Sequence, residues 1–369
     1  MLGSAFSANP GVDPFATVAL TEALRQIPMP LNMFTGRFFK QGKTHAALAV
    51  NIFEMLFELG MAPFSARGSK ATPVSAPSEN SKFYMPGHIR TILPYTGYNL
   101  FKASPANPGI YMTANLMQKM ASDINDFLMQ MKINVFNTVE WMCAQMMSTG
   151  KIPILGDTVK EGINYQMPAG NKYTLGGATP PHPRMCNKLW ASNGSHPLAD
   201  LAGFGTYISQ NSGTGYPDTW IFDSYAWDAF FYHSDVKEYF NKFNINMGII
   251  QPNPETGYVA TIMGRECYVN DRTVSDRKSP YYSQPHLPAY TVILDNMKNN
   301  NKRIDYGAVD DIEAVGAYNA GAAFAQIDFF SKSWVEKDPS AQMVLLETNP
   351  IPITKDIRGI GILTVGSNS

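Results

Sequence analysis

The sequence predicts an α+β fold made of extended parts arranged around one very long helix. Three observations predict it. Apolar residues recur at three- and four-residue steps from Pro108 to Ser148. Two strand-like runs, divided by a stretch rich in Ser, Gly, Pro and Ala, precede that helix. Short strands and short capped helices alternate behind it, the pattern of a compact α+β block.

The first 45 residues carry prolines at 10, 14, 28 and 30 and little periodicity. One short amphipathic helix is predicted from Pro14 to Gln26, with Asp13 as its N-cap. The rest of this segment reads as an extended arm with no partner inside the chain. A strand-like run, Ala46 to Phe57, follows, bounded by Gly60, Pro63 and Gly68. Arg67 to Ser81 has loop composition, and a second strand-like run spans Lys82 to Leu93. Together they predict a long two-stranded projection. A lone hairpin is marginal in water, so this one is expected to lie against another surface.

In the long helix, Leu116, Met120, Ile124, Phe127, Met131, Val135, Val139, Met142 and Met146 form the apolar face. Lys119, Asp123, Asp126, Gln130, Asn134 and Asn137 fill the opposite one, with Pro108–Gly109 as start and Gly150 as stop. Some 40 residues at ~1.5 Å each would span ~60 Å, several times the usual helix. Such a helix is a strut.

Residues 150 to 195 mix Gly, Pro and short strands around Trp190. Ser195 is predicted to cap a helix opened by Pro197 and faced by Leu198, Leu201, Phe204, Tyr207 and Ile208. Trp220-Ile221-Phe222 reads as a buried strand. Asp223 or Ser224 caps a helix from Tyr225 to Tyr232, and Ser234 or Asp235 one from Val236 to Phe243. Strands are predicted at Asn246–Gln251, Tyr258–Met263, Glu266–Asn270, Tyr290–Asp295, Gln342–Glu347 and Ile360–Val365. No internal repeat is evident.

Composition narrows the function. The 369 residues are 44% hydrophobic but only 16% charged, against ~25% for soluble domains. A surface so poor in charge suggests that much of it is covered by something; a large single-chain enzyme with a good core fits as well, and composition alone favours neither. Length alone predicts two or three domains. With 29 basic and 30 acidic side chains, the net charge is −1, without the basic excess of a protein that grips nucleic acid. The longest basic cluster, Asn299 to Arg303, is a short loop-like run. Cys143, Cys186 and Cys267 lack metal-binding spacing and read as free thiols in a reducing cytoplasm. Met1 to Phe15 lacks the parts of a signal peptide, and no window is apolar enough to span a membrane. The chain is expected to be soluble and cytoplasmic when made.

The order of parts resembles a known family, on three stretches. The first is Lys82-Phe83-Tyr84-Met85-Pro86-Gly87-His88-Ile89, followed by Leu93-Pro94. The second runs from Trp190 through Pro197 and Asp200 to Trp220-Ile221-Phe222-Asp223, then Trp227-Asp228-Ala229-Phe230 and Val236-Lys237. The third is Lys332-Ser333-Trp334-Val335, Asp338-Pro339 and Pro350-Ile351-Pro352. The exit Met147-Ser148-Thr149-Gly150-Lys151-Ile152 is similar as well. The chain resembles the lambda-type capsid protein E family of tailed-bacteriophage major capsid proteins. It departs from that family after Lys151 and between Arg272 and Leu287.

The resemblance implies the Hong Kong phage type of capsid fold. Its parts would be an N-terminal arm (1–45), an E-loop hairpin (46–96), a P-domain with the spine helix (97–195), an axial A-domain (196–325) and returning P-domain strands (326–369). It implies self-assembly as pentamers and hexamers into an icosahedral head enclosing double-stranded DNA, which is touched only non-specifically. Portal, scaffold and decoration proteins are the further implied partners, and no membrane. The physics agrees: a long arm and hairpin cannot bury both faces alone, and pairing across a closed ring satisfies them. Near-zero net charge limits repulsion between copies. The 20 methionines tolerate repacking during shell expansion, though plain core filling explains each one singly.

No catalytic, cofactor or metal residue is expected. His182, Cys186 and His196 are irregularly spaced for a metal. Asp223, Ser224 and His233 form no nucleophile elbow, and capping explains the first two. Gly203 to Gly215 matches no phosphate-binding loop. Asp310, Asp311 and Glu313 read as a solvated helix start. Arg67, Lys70 and Lys82 around the hairpin tip, with Phe83 and Tyr84 on its descending strand, are the inter-subunit candidates. The competing readings are a cellular nanocompartment shell of the same fold and an enzyme of unknown class.

Overall fold

The periodic apolar face builds the longest element. The computed structural model describes residues 15–27, 32–56, 78–97, 116–155, 160–177, 179–242, 250–253, 256–273, 285–318, 326–338 and 340–367. Within them, helix α1 spans Thr17–Gln26 and the spine helix α2 spans Leu116–Thr149, 34 residues. At ~1.5 Å per residue α2 is about 51 Å long. The expected start near Pro108 lies outside the described residues. The stop is as expected: Gly150 takes φ +67° and donates its N–H to Met146 O, a glycine C-terminal turn. Ile124, Met131, Val135, Val139, Met142 and Met146 are buried, while Asp126, Gln130, Asn134 and Asn137 are exposed. From Val139 to Ser148 only Gln145 escapes burial, so the strut ends inside the protein.

The described part of the N-terminal segment corrects the expectation of an arm without internal partners. Leu20 and Leu24 of α1 are fully buried, packed toward α2 and strand β14 (Phe330–Lys337). A π-helical turn, Phe34–Phe38, sinks Phe34 and Phe38 into the same core. Strand β1 (Phe39–Thr44) then pairs in parallel with β13 (Lys302–Tyr306). A Cβ at Gly42 would collide with the Asp305 carboxylate, which accepts from Lys43 N–H at 3.0 Å and pairs with His45 Nε2 at 2.8 Å. The apolar stripe of α1 and the phenylalanines find their partners at home. Asp13 lies outside the described residues, and Ala16 precedes α1 without a side-chain cap.

The hairpin exists, but its descending strand is split. Strand β2 (Val50–Leu56) pairs antiparallel with β3 (Ser78–Tyr84) in a sheet of two. The predicted run Lys82–Leu93 breaks at Met85–His88, where Pro86 cannot donate to a ladder. It resumes as β4 (Ile89–Thr96), bound to β15 (Ser340–Thr348) in the sheet β14-β15-β4. Only the β2–β3 pair, which ends at Tyr84, is thus a separate ribbon; β4 belongs to the body.

Seven strands form the central sheet. Their order is β7 (Lys172–Thr174), β17 (Ile360–Thr364), β12 (Thr291–Asp295), β8 (Thr219–Phe222), β11 (Arg265–Val269), β10 (Tyr258–Ile262) and β9 (Ile250–Asn253). Strands β8 and β12 are buried on both faces. Alternation sends Trp220, Phe222, Val292 and Leu294 to a core with helices α3 (Pro197–Asn211), α4 (Ser224–Phe231) and α5 (Ser234–Lys242). It sends Ile221, Ile293 and Ile360 to the core around the spine. Two cores thus share one sheet. Segment 196–325 does not close on itself, because β7 and β17 complete its sheet. A fourth sheet, β1-β13-β16, uses β16 (Pro350–Thr354), and β5 (Lys151–Leu155) pairs with β6 (Lys160–Asn164).

Capping differs from expectation at two helices. His196, not Ser195, precedes α3 and makes no side-chain cap bond. His233 precedes α5, and its Nδ1 accepts from Asp235 N–H. Asp223 caps α4 as expected, accepting from Tyr225 and Ala226 N–H.

Candidate assembly surfaces

Two buried charges on the spine hold the N-terminal segment. Lys132 Nζ donates to Leu24 O and Ile27 O, both at 2.6 Å, at the C-terminal end of α1. The carboxylate of Glu140 accepts from Phe34 N–H and Thr35 N–H, both at 2.7 Å, at the start of the π-turn. Each charge meets the helix end whose dipole favours it. Burial pulls the Lys132 pKa down to about 8. Burial pushes Glu140 up, and the two amides pull against that shift. The sequence reading placed neither residue on a face. Their signal was present: both interrupt the buried side of an otherwise apolar helix, where a charge survives only if paired.

Among the described residues the ribbon shows a different balance. Phe83 is 70% exposed and Met85 64% exposed, while Lys82 lies opposite Ile52 in the pairing. Tyr84 faces home instead, its ring 5.4 Å from that of Tyr165. The inter-subunit candidates therefore divide: Phe83 is presented outward and Tyr84 holds the ribbon's root to its own body. Arg67 and Lys70 lie outside the described residues.

Beside that root lies a cleft of about 590 Å³, lined by His88, Arg90, Asp310, Asp311, Ile312, Glu313, Lys332 and Glu347. Helix α6 (Ile312–Tyr318) forms one wall, and Asp311 starts it by accepting Glu313 N–H at 3.0 Å. The predicted helix start is thus present. It is not simply solvated, for Asp311 pairs with Lys332 at 2.6 Å, and these contacts hold its pKa down against burial. Glu347 of β15 sits on the floor, 2% exposed, with Arg90 Nε 3.5 Å from Oε2. Its Oε1 is buried with no hydrogen-bond partner, and His88 Nδ1 stands 3.9 Å away. Burial raises the Glu347 pKa, while His88 and Arg90 lower it.

The residues weighed for catalysis are otherwise engaged. His233 Nδ1 accepts from Asp235 N–H, so Nε2 carries the ring proton and donates to Ser195 Oγ at 2.9 Å. Ser195 in turn donates to Ser192 O at 2.7 Å. A histidine that donates to a serine cannot withdraw its proton. Cys186 Sγ turns to Gly194 O, His182 Nδ1 to Arg184 N–H and His196 to Asp235. Among the described residues, no group of three His, Cys, Asp or Glu is arranged to hold a metal, and no helix is long and apolar enough to cross a membrane.

Comparison with solved structures defines the class. A protein described as the capsid protein of a prophage of E. coli CFT073 is similar at TM-score 0.65 and 17% identity, over 95% of this chain and 99% of that one. The capsid of a native GTA particle aligns over 100% of both chains, at 12% identity and TM-score 0.45. A phage-related protein of Bordetella bronchiseptica RB50 aligns over 95% of this chain and 96% of its own, at 13% identity and TM-score 0.45. No curated protein matches. The fold is that of the tailed-phage major capsid proteins, the Hong Kong phage type.

The sequence pattern of the family described as phage major capsid protein E matches residues 16–365. The chain belongs to that family. It is a major capsid protein, a subunit that associates with copies of itself into a shell.

Proposed function

We propose that the chain assembles as pentamers and hexamers into an icosahedral phage head that encloses packaged double-stranded DNA. The β2–β3 ribbon carries this reading. It is a sheet of two strands with exposed Phe83, followed directly by exposed Met85, the kind of element that needs a second surface. The parts take the roles of N-terminal arm (1–45), E-loop (46–96), P-domain (97–195 and 326–369) and axial A-domain (196–325), with β7 and β17 tying the A-domain to its neighbours in sequence. Portal, scaffold and decoration proteins complete the partners, and assembly takes place in the host cytoplasm. The subunit works as a structural part, not as an enzyme, which the inverted Ser195–His233 bond supports. Its low charge and balanced 29 to 30 count favour contact with many like copies and only non-specific contact with DNA.

Negative-stain microscopy of the purified protein tests this. Closed shells or five- and six-fold rings are expected, and a monodisperse monomer at high concentration would overturn the reading. Nuclease-protected DNA inside particles from infected or induced cells separates a phage head from a nanocompartment shell, whose interior would hold a protein cargo.

A further inference from the structure

The near-neutral sum of charges hides a local excess on the sheet β1-β13-β16. Lys40 of β1 lies opposite Arg303 of β13. Lys355 follows the last residue of β16, and its N–H donates to Asn301 O at 3.0 Å, one step beyond the Lys302–Thr354 pair. Residues that face each other share a side of a sheet, and side chains alternate along each strand. Arg303 faces Ile353, so Lys355, two positions on, takes the side of Arg303 and Lys40. Lys43, at the bulge of β1, adds a fourth exposed cation. The one acid within these three strands, Asp305, is fully buried and engaged by Arg303 Nε and His45 Nε2, both at 2.8 Å. The remaining cation, Lys302, is buried and paired with Asp295. Every exposed charge on the three strands and their edge is therefore positive.

Two observations select the partner. Among the described residues, none of the exposed large apolar side chains lies on β1, β13 or β16. A folded protein partner would find no anchor there, since such interfaces centre on buried aromatic and aliphatic groups. The cations also form a row. With strands ~4.8 Å apart it runs about 10 Å, a length over which duplex DNA carries about six phosphate charges. Ammonium and guanidinium groups bind phosphates without an apolar anchor and without reading sequence.

We propose that this face of the β1-β13-β16 sheet is where the subunit meets the phosphate backbone of packaged DNA, so that it looks into the shell. The inference rests on the shell reading and names the surface and the chemistry of one contact within it. Lys40, Lys43 and Lys355 reach the phosphates on flexible stems, while Arg303 is fixed by Asp305 beneath it. The contact is blind to sequence and weakens as salt competes for the phosphates.

Fluorescence anisotropy of a labelled duplex of mixed sequence, titrated with the purified protein over a range of salt, tests it. Lys40→Gln/Lys43→Gln/Lys355→Gln removes three exposed charges. It is expected to bind about tenfold more weakly near 50 mM salt, with a log–log salt slope shallower by about 2.7. Lys188→Gln/Lys237→Gln/Lys337→Gln removes the same charge from exposed sites elsewhere and should bind as the parent does. The inference is overturned if the first triple keeps the parent's slope, or if the second loses as much. Polyglutamate that binds the parent more tightly than the duplex, and is lost on the first triple, would assign the face to an acidic protein and overturn the DNA contact. Should the first triple fail to fold, Lys40→Gln alone replaces it, with a slope shallower by about 0.9. In particles, the first triple should close shells like the parent and hold less nuclease-protected DNA, and an unchanged DNA content overturns the inward placement. A parent protein that forms no particles would instead sink the shell reading itself.

Discussion

The first 96 residues hold two regions that look alike in sequence and behave oppositely in structure. The stretch from Thr17 to Thr44 (helix, π-turn and strand) and the β2–β3 ribbon are both expected from sequence to find their partners outside the subunit. The first is strapped to its own subunit, by Lys132 and Glu140 at its helix ends and by β13 along β1. The β2–β3 ladder joins no other sheet among the described residues, its root is held by Val50 and Tyr84, and Phe83 is shown to the outside. The difference teaches that an extended segment stays home when the body supplies partners for its backbone as well as its apolar groups. Apolar content alone does not separate the two.

Removing the strap's partners should break this contrast most strongly. Glu140→Leu keeps the volume and leaves the Phe34 and Thr35 N–H groups buried without acceptors. It is expected to cost the unassembled subunit about 4 kcal/mol. Thermal denaturation reads this, and a loss below about 1 kcal/mol would mean that the carboxylate is not what holds the segment.

Acid should act next. His286 is buried beside Arg272, which also donates to Asn32 of the strap. Burial, and then the Arg272 charge, lower its pKa from 6.5 to about 4. The folded state therefore binds this proton more weakly than the unfolded chain. Stability is complete above pH 6.5 and falls as the pH drops from there toward 4, by about 3 kcal/mol in all. His286→Leu should flatten that part of the stability-against-pH curve. The substitution loses no side-chain bond at Nδ1, which has none. An unchanged acid limb in the variant would assign the loss to other groups.

Lys132→Met should cost about 2 kcal/mol, since it frees two carbonyls that lie near the end of α1. Limited proteolysis within residues 1–31 should accelerate in step. Stability loss without faster cleavage would show that Lys132 supports the spine rather than the strap. Phe83→Ser should have the smallest effect on the subunit, within about 0.5 kcal/mol, because the side chain is exposed. Its effect belongs to assembly, so the assembled fraction should fall while the melting temperature of the free subunit stays put. A melting temperature that moves instead would place Phe83 in the subunit's own packing.

Much of this was legible in the residues. The α2 face from Ile124 to Met146, the Gly150 stop, the buried run Trp220–Phe222 and the Asp223 cap all follow from local spacing and capping chemistry. The order of parts along the chain is itself similar to that of the capsid family. The break at Pro86-Gly87 was written in the sequence too, yet the strand on each side read as one because both halves have strand composition. The cleft was not legible. Glu347, Arg90 and Asp311 come from three separated segments, and none of them departs from the local pattern of its element.

The sequence by itself determined the periodic elements, their ends and their order, because burial period and backbone capping act within a few residues of the chain. Only the tertiary structure decided that the N-terminal segment docks on its own subunit, that β17 crosses into the central sheet, and that a buried carboxylate waits at the ribbon's root. Those outcomes join residues up to a few hundred positions apart: Phe34 meets Glu140 across 106 positions and His45 meets Asp305 across 260. Such pairings follow from how whole faces pack together. They leave no spacing in the chain from which they could be read.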